Sequence, residues 1–201
     1  MGVSHLTLSI DMTGRAVVVV GGGEVALRKV KRLLGGGARV TVVAPVTHQE
    51  ISCMAASGAL IWMPRAYQPD DLSGAFLAVA ATDDRQCNLA VAADARKQGI
   101  PACLASDPSA GDWQLPALLR QGDLELAVST AGRCPAYAVA LRDMLAETID
   151  ERFGEALEAA AAFREKLLTE GKATPYNIQI LREYVQNLIQ ECKVPHKEPA
   201  P

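Results

Sequence analysis

The first hundred positions alternate between short apolar runs and longer stretches with helical spacing. Ala16 to Val20 is an unbroken apolar run, which is typical of a strand buried on both faces of a parallel sheet. Glu24 to Leu34 then carries apolar residues at the spacing of an amphipathic helix. The same alternation predicts further strands at 38–43, 60–63, 75–81 and 101–104, and helices at 47–57 and 84–98. Such alternation predicts an α/β fold, with a doubly wound parallel sheet and right-handed crossovers.

The pattern changes after Ser106. The predicted elements beyond it are a loop at 107–112, strands at 114–120 and 124–129, helices at 135–148, 150–169 and 175–190, and a tail at 193–201. The two strands are joined by Gln121, Gly122 and Asp123, which predicts a hairpin. Because an isolated hairpin is only marginally stable, its apolar side packs either on the same element of a second subunit or on the chain's own sheet.

Three consecutive glycines follow the first strand. Gly21, Gly23 and Ala26 fit the motif G-x-G-x-x-A, with Gly22 between the first two glycines. A turn without side chains lets a pyrophosphate approach the positive N-terminal end of a helix. The flanking strand and helix are the context that this motif requires, so we predict a Rossmann-like dinucleotide-binding domain; the alternative is a structural turn in another α/β protein.

The end of the second predicted strand bears on the choice of cofactor. A typical NAD site has an acidic residue there, about 20 positions beyond the glycines, which receives the ribose hydroxyls. This chain has Ala44, Pro45 and Val46 instead, so ribose contacts fall to the backbone near Pro45 and Val46. No arginine is present for a 2′-phosphate, which favours NAD over NADP. Thr82 follows the fourth strand, at the edge where open α/β sheets place ligands, and we expect it near the cofactor.

Charge and composition exclude several classes of partner. A formal net charge of −3 and only 4% aromatic residues argue against nucleic acid. No apolar run approaches the ~20 residues of a membrane span and no signal-peptide pattern is present, so we expect a cytoplasmic protein with no membrane partner. Five scattered cysteines form no C-x-x-C pair, and His5, His48 and His196 are far apart and expected at the surface, so no metal site is predicted.

Four motifs occur in order along the chain. They are Gly-Gly-Gly-Glu-Val-Ala-Leu-Arg-Lys, Val-Val-Ala-Pro, Ala-Ala-Thr-Asp-Asp and Leu-Ala-Val-Ser-Thr-Ala-Gly-Arg-Cys-Pro. Together they resemble the precorrin-2 dehydrogenase (sirohydrochlorin synthase) family, the module at the N-terminus of siroheme synthases. The resemblance covers residues 6–145 and continues more loosely through the C-terminal helices. The predicted domains are an NAD-binding Rossmann domain at 1–112, a dimerisation region at 113–148, a helical C-terminal domain at 149–192 and the tail at 193–201.

The resemblance implies an NAD⁺-dependent homodimer that oxidises precorrin-2, a tetrapyrrole with eight carboxylates, to sirohydrochlorin. Some members of the family also insert ferrous iron. Thr130 matches a serine or threonine beside the family's substrate cleft. The positions that match the family's cofactor contacts are Glu24, Val25, Pro45 and Val46.

One position departs from the family. Siroheme synthases carry an aspartate, assigned as an acid/base, in the loop after the fifth strand, where this chain has Ser106 followed by Asp107. Asp107 either substitutes as the acid/base or serves as a turn residue before Pro108. Dehydrogenation mainly requires an oriented nicotinamide, whereas metal insertion requires a base for two pyrrole protons. The departure therefore bears chiefly on chelatase activity.

The carboxylates of such a substrate need cationic partners. The resemblance places Arg120, Arg133 and Arg142 at the cleft, and guanidinium groups pair well with carboxylates. Ser129 precedes Thr130 in the same loop and is assigned to the substrate with them. Each arginine alone is more typical of a solvated surface charge. The alternatives to a precorrin-2 dehydrogenase are a bifunctional dehydrogenase and ferrochelatase, and a non-catalytic NAD-responsive binding module.

Overall fold

The chain divides into two compact units, the first ending at Leu115 and the second beginning at Pro116. The fold is that of a computed structural model, which describes residues 6–169 and 175–193. Most of the predicted tail lies outside these residues. The finer predicted division of the second unit, into a dimerisation region and a helical domain, stays a prediction.

Five parallel strands form the sheet of the first unit, in the order β3-β2-β1-β4-β5. The α/β prediction is therefore confirmed. The chain leaves β1 towards β2 on one side and returns to β4 on the other, so a crevice opens at the carboxyl ends of β1 and β4, where such folds bind ligands. The strands are β1 Ala16–Val20, β2 Arg39–Val43, β3 Ile61–Met63, β4 Leu77–Ala80 and β5 Ala102–Leu104.

Helices cover both faces of this sheet because successive side chains of a strand point to opposite faces. Val17 and Val19 belong to one apolar core together with Val30, whereas Val18 and Val20 belong to a second core. All four valines are buried, as the unbroken apolar run predicts. The helices of this unit are α1 Glu24–Gly35, α2 Gln49–Ala56 and α3 Arg85–Lys97.

The second unit contains the predicted hairpin and three helices. Strands β6 and β7 pair antiparallel, and among the described strands they pair only with each other. Gly122 takes a φ of 59° at the first position of the two-residue turn, a conformation that glycine adopts without strain. The elements are β6 Ala117–Gln121, β7 Leu124–Val128, α4 Pro135–Ala146, α5 Glu151–Thr169 and α6 Pro175–Lys193.

Two single turns of 3₁₀ helix lie in the first unit and were not predicted. One is Pro69–Leu72, before β4, and the other is Pro108–Ala110, after β5. The second turn sets the conformation of the loop that carries Asp107. Of the helices that the structure describes, none combines the length and the apolar character needed to cross a membrane.

Candidate functional site

The three glycines between β1 and α1 meet three different surroundings. Gly21 has a φ of 121°, and a Cβ there would lie 2.3 Å from the carbonyl oxygen of Ala81, at the end of β4. A Cβ on Gly22 would lie 2.2 Å from the carbonyl oxygen of Val46. A Cβ on Gly23 would meet no atom within 4 Å. The first two glycines therefore permit close backbone packing, and the third leaves open space above the turn.

The N-terminus of α1 opens into this space. Gly23 is the N-cap residue, and no side chain caps the first turn of the helix. The first backbone N–H groups of a helix have no intrahelical partner and carry partial positive charge. A phosphate group accepts hydrogen bonds from these N–H groups and carries the opposite charge, so the turn is suited to the pyrophosphate of a dinucleotide. Glu24 and Val25, the next two residues, are exposed beside it.

The loop between β2 and α2 is tied to the glycine turn through His48. Its backbone N–H donates to the carbonyl oxygen of Gly22 at 2.7 Å, and its Nε2 lies 3.0 Å from Oε1 of Glu24. Its Nδ1 accepts from the N–H of Glu50 and so caps α2. The His48 ring is half-buried and makes these contacts, whereas the sequence predicts only a surface position; His5 and His196 lie outside the described residues.

Apolar surface flanks the glycine turn on two sides. Val46 is 80% exposed and Val25 is 40% exposed, and Pro45 is also exposed. Thr47, the next residue, has a buried Oγ1 with no hydrogen-bond partner. The open N-terminus of α1, the bare Gly23 and this apolar rim fit an NAD(P) cofactor, with the pyrophosphate at the turn and the adenosine on the β2 side.

A buried asparagine joins the ends of β4 and β5. Asn88 on α3 is only 1% exposed. Its Oδ1 accepts from the N–H of Thr82 at 3.0 Å and from Oγ1 of Thr82 at 2.8 Å. Its Nδ2 donates to the carbonyl oxygen of Thr82 at 2.9 Å and to Oγ of Ser106 at 3.2 Å. Two predicted site residues are therefore held together by a third that the motifs did not reveal.

One sequence feature could have indicated the buried position of Asn88. It shares the buried face of α3 with Val91 and Ala95, at the helical spacing of three and seven positions. A lone amide among apolar residues needs a buried partner, and the strand end at Thr82 is the nearest one along the chain. Asp84, in contrast, caps α3, because its Oδ1 accepts from the N–H of Gln86 at 2.8 Å.

Asp107 is occupied in its own turn. Its Oδ1 accepts from Oγ of Ser109 at 2.6 Å and from the N–H of Ser109 at 3.2 Å, across the 3₁₀ turn that follows. These hydrogen bonds, led by the Ser109 hydroxyl, lower the pKa of the Asp107 carboxyl from its usual value, with a smaller contribution from the charge of Arg85. A carboxylate with a lowered pKa is a weak base at neutral pH. The geometry is that of a turn residue.

In the second unit, Ser129 and Thr130 shape the loop that leads into α4. Oγ of Ser129 accepts from the N–H of Ala131 at 3.2 Å, and Oγ1 of Thr130 accepts from the N–H of Cys134 at 3.3 Å. Ala131 takes a φ of 52°, an uncommon conformation for a residue with a Cβ. Backbone strain of this kind is often found at functional sites.

The three arginines assigned to the substrate differ in their partners. Arg120 forms an ion pair with Glu125, which lies directly opposite on the hairpin. Arg142 is paired with Asp143. Arg133 is exposed in the Thr130 loop, and its guanidinium has no partner within residues 6–169 and 175–193. Arg133 is thus the arginine best placed to accept a carboxylate from outside the chain.

The described residues contain no group of three or more His, Cys, Asp or Glu side chains that could hold a metal ion. The five cysteines are all free, with Cys103 and Cys192 buried and Cys53 and Cys134 exposed. The site in the first unit therefore consists of backbone N–H groups, apolar surface and the network of Asn88.

Comparison with known proteins agrees with this site. A family model described as putative NAD(P)-binding matches residues 8–117. Siroheme synthase 1 of Aeromonas salmonicida is 34% identical over 92% of this chain and 39% of its own length. A siroheme synthase of Chromobacterium violaceum is 40% identical over 74% of this chain and 32% of its own length. The chain thus spans well under half the length of these relatives.

A solved structure is similar over nearly its whole length. It is named SirC, precorrin-2 dehydrogenase, has a TM-score of 0.76 and 28% sequence identity, and covers 94% of this chain and 98% of its own. These matches confirm the resemblance to the N-terminal module of siroheme synthases that the four motifs predict. Since the family model covers over half of the 201 residues, the chain belongs to the putative NAD(P)-binding family.

Proposed function

We propose that the protein is an NAD⁺-dependent dehydrogenase that oxidises precorrin-2 to sirohydrochlorin, and that it acts as a cytoplasmic homodimer. The reaction removes a hydride, which NAD⁺ accepts, and a proton, which is released to solvent. The observation that carries this proposal is the similarity to a precorrin-2 dehydrogenase across 98% of that protein's length. The geometry of the glycine turn supports the cofactor independently of this similarity.

The chain's own residues bind and orient the cofactor. The N–H groups at Gly22, Gly23 and Glu24 would hold the pyrophosphate, because no side chain caps the N-terminus of α1. Pro45 and Val46 offer backbone groups and apolar surface to the adenosine. Neither a carboxylate nor an arginine occupies 44–46, which favours NAD⁺ over NADP⁺. NAD⁺, when bound, would supply the hydride acceptor.

Substrate recognition is assigned to the loop before α4. Arg133 supplies a guanidinium that has no partner among the residues the structure describes, and its planar fork suits the carboxylates of a tetrapyrrole. Ser129 and Thr130 accept backbone N–H groups within this loop, so each hydroxyl hydrogen is available to a ligand. Arg120 and Arg142 contribute only if their ion pairs open.

A second candidate is the bifunctional enzyme, which the names of the siroheme synthase relatives favour. Metal insertion requires removal of two pyrrole protons, which calls for a base of suitable pKa. Ser106 stands at the position of the expected aspartate, and Asp107 has a lowered pKa and accepts hydrogen bonds from Ser109. We therefore propose the dehydrogenase without chelatase activity as the principal function.

A spectroscopic assay separates these functions. Purified protein is mixed with precorrin-2 and NAD⁺, and we expect the absorption spectra of sirohydrochlorin and NADH to develop faster than in an enzyme-free control. NADP⁺ in place of NAD⁺ should react more slowly. Sirohydrochlorin with Fe²⁺ or Co²⁺ should be metallated no faster with the protein than without it. NAD⁺ binding without any spectral change would instead identify a non-catalytic binding module.

A further inference from the structure

The hydrogen bonds of Asn88 fix the direction in which its side-chain amide points. The N–H of Thr82 can only donate and the carbonyl oxygen of Thr82 can only accept. Oδ1 of Asn88 must therefore face the N–H, at 3.0 Å, and Nδ2 must face the carbonyl, at 2.9 Å. The second hydrogen on Nδ2 then points to Oγ of Ser106, at 3.2 Å. The amide cannot be flipped without losing two buried hydrogen bonds.

This orientation determines where the hydroxyl hydrogen of Ser106 points. Because Oγ accepts from Asn88, its own hydrogen cannot lie on that bond and must be directed elsewhere. Ser106 is exposed at the carboxyl edge of the sheet, two residues beyond the end of β5. Within the part of the chain that the structure describes, no acceptor takes this hydrogen. The network thus presents one oriented donor to the outside of the chain.

We propose that Asn88 is a positioning residue, which holds the Ser106 hydroxyl as a donor to an acceptor oxygen of the bound ligands at the nicotinamide end of the site. The inference rests on the proposed function. The acceptor is either the carboxamide oxygen of the nicotinamide or a carboxylate of the tetrapyrrole, since both are oxygen acceptors that the reaction brings to this edge. Asp107 does not fill this role, because an ionised carboxylate accepts hydrogen bonds, as it does from Ser109, and has no hydrogen to donate.

The test compares Ser106→Ala, Asn88→Asp and the double variant. Asn88→Asp keeps the shape of the side chain, but its carboxylate accepts the Ser106 hydroxyl and so turns the donor inward. The variant also loses the hydrogen bond to the carbonyl oxygen of Thr82, so its thermal midpoint should fall in any case. Turnover and KM are measured with precorrin-2, NAD⁺ affinity by calorimetry, and stability by thermal denaturation. We expect either single variant to lose about tenfold in turnover, in affinity for precorrin-2 or in NAD⁺ affinity, which is the value of one hydrogen bond. The double variant should lose no more of the same quantity than Ser106→Ala does. Gln86→Ala, on the exposed face of α3, is the control and should change nothing.

The two acceptors give different results. A loss confined to NAD⁺ affinity identifies the carboxamide oxygen of the nicotinamide as the acceptor. A lower turnover or a higher KM for precorrin-2, with NAD⁺ affinity unchanged, identifies a carboxylate of the tetrapyrrole. A purely structural role for Asn88 would add its functional loss to that of Ser106→Ala in the double variant, which would overturn the inference. Wild-type behaviour of Ser106→Ala would overturn it as well.

A variant that does not fold and a wild-type protein without activity would each leave a further measurement. If Asn88→Asp does not fold, Asn88→Ser replaces it, because serine lacks the amide group that donates to Ser106. If the wild-type protein leaves precorrin-2 unchanged, the proposed function fails, and the inference is then judged on NAD⁺ affinity alone. Unchanged affinity in Ser106→Ala would in that case overturn it.

Discussion

At the scale of single residues, neighbouring glycines of one turn have different roles. Gly21 permits the approach of β1 to β4, and its φ of 121° is one that residues with a Cβ rarely adopt. Gly23 faces open space, and its missing side chain matters to the ligand and not to the fold. Substitution by alanine should therefore separate stability from cofactor binding.

We expect Gly23→Ala to keep the fold and to weaken NAD⁺ binding. Its methyl group would occupy the space above the turn, where we place the pyrophosphate, and affinity should fall by about tenfold or more. Gly21→Ala should instead lower the free energy of unfolding by roughly 3 kcal/mol, from backbone strain and from the clash with Ala81. Calorimetric titration with NAD⁺ and thermal denaturation of both variants provide the comparison. Equal NAD⁺ affinity in Gly23→Ala and the wild type would contradict the placement of the pyrophosphate.

The residues of the site were only partly predictable from the sequence. The glycine turn was predictable because a pyrophosphate requires a bare backbone next to a helix N-terminus, and that requirement is local in the chain. Asn88 was not, because its partners Thr82 and Ser106 come together only when β4 and β5 pair. The choice between the roles of Asp107 depends on the Ser109 hydroxyl, whose direction is set by an unpredicted 3₁₀ turn.

At the scale of elements, the parallel sheet was predictable from the alternation of apolar runs with stretches of helical spacing. Strands covered on both faces must be apolar at every position, and the valines of β1 satisfy this condition without exception. The 3₁₀ turn at Pro69–Leu72 escaped prediction because a single turn has no hydrophobic period. It is held by Asp71, which accepts from Arg65 at 2.9 Å and from the N–H of Gln68 at 2.8 Å.

Gly154 gives a test of how α5 packs on the hairpin. It is buried, and a Cβ there would lie 2.6 Å from the carbonyl oxygen of Gln121, at the end of β6. Alanine favours a helix over glycine by about 1 kcal/mol, so in an unconstrained helix Gly154→Ala would stabilise the protein. We expect a loss of roughly 2 kcal/mol instead, because backbone atoms of the hairpin must move.

Urea denaturation measures this effect. The matched control is Glu158→Ala, an exposed position of the same helix, which should change the free energy of unfolding by less than about 0.5 kcal/mol. A Gly154→Ala protein that is as stable as the wild type, or more stable, would show that α5 does not approach the hairpin backbone this closely.

At the scale of the whole molecule, the two units differ in how much apolar surface they bury. The first unit has a core on each face of its sheet. In the described part of the second unit, the buried apolar side chains are Leu119, Ala138 and Cys192. Tyr137 and Met144, seven positions apart on α4, are 61% and 56% exposed. Exposed apolar residues on one helix face are typical of a protein interface.

We therefore expect the protein to be a homodimer in which the second unit of each chain covers this face of the other. Sedimentation velocity at increasing concentration should show a species of two chains. Tyr137→Glu with Met144→Glu places two carboxylates in the proposed interface, and the concentration for dimer formation should rise at least tenfold, about 1.4 kcal/mol or more. Gln186→Glu, at an exposed position of α6, adds a single charge elsewhere and is the control. A monomeric wild type, or a dimer that the double substitution leaves unchanged, would rule out this interface.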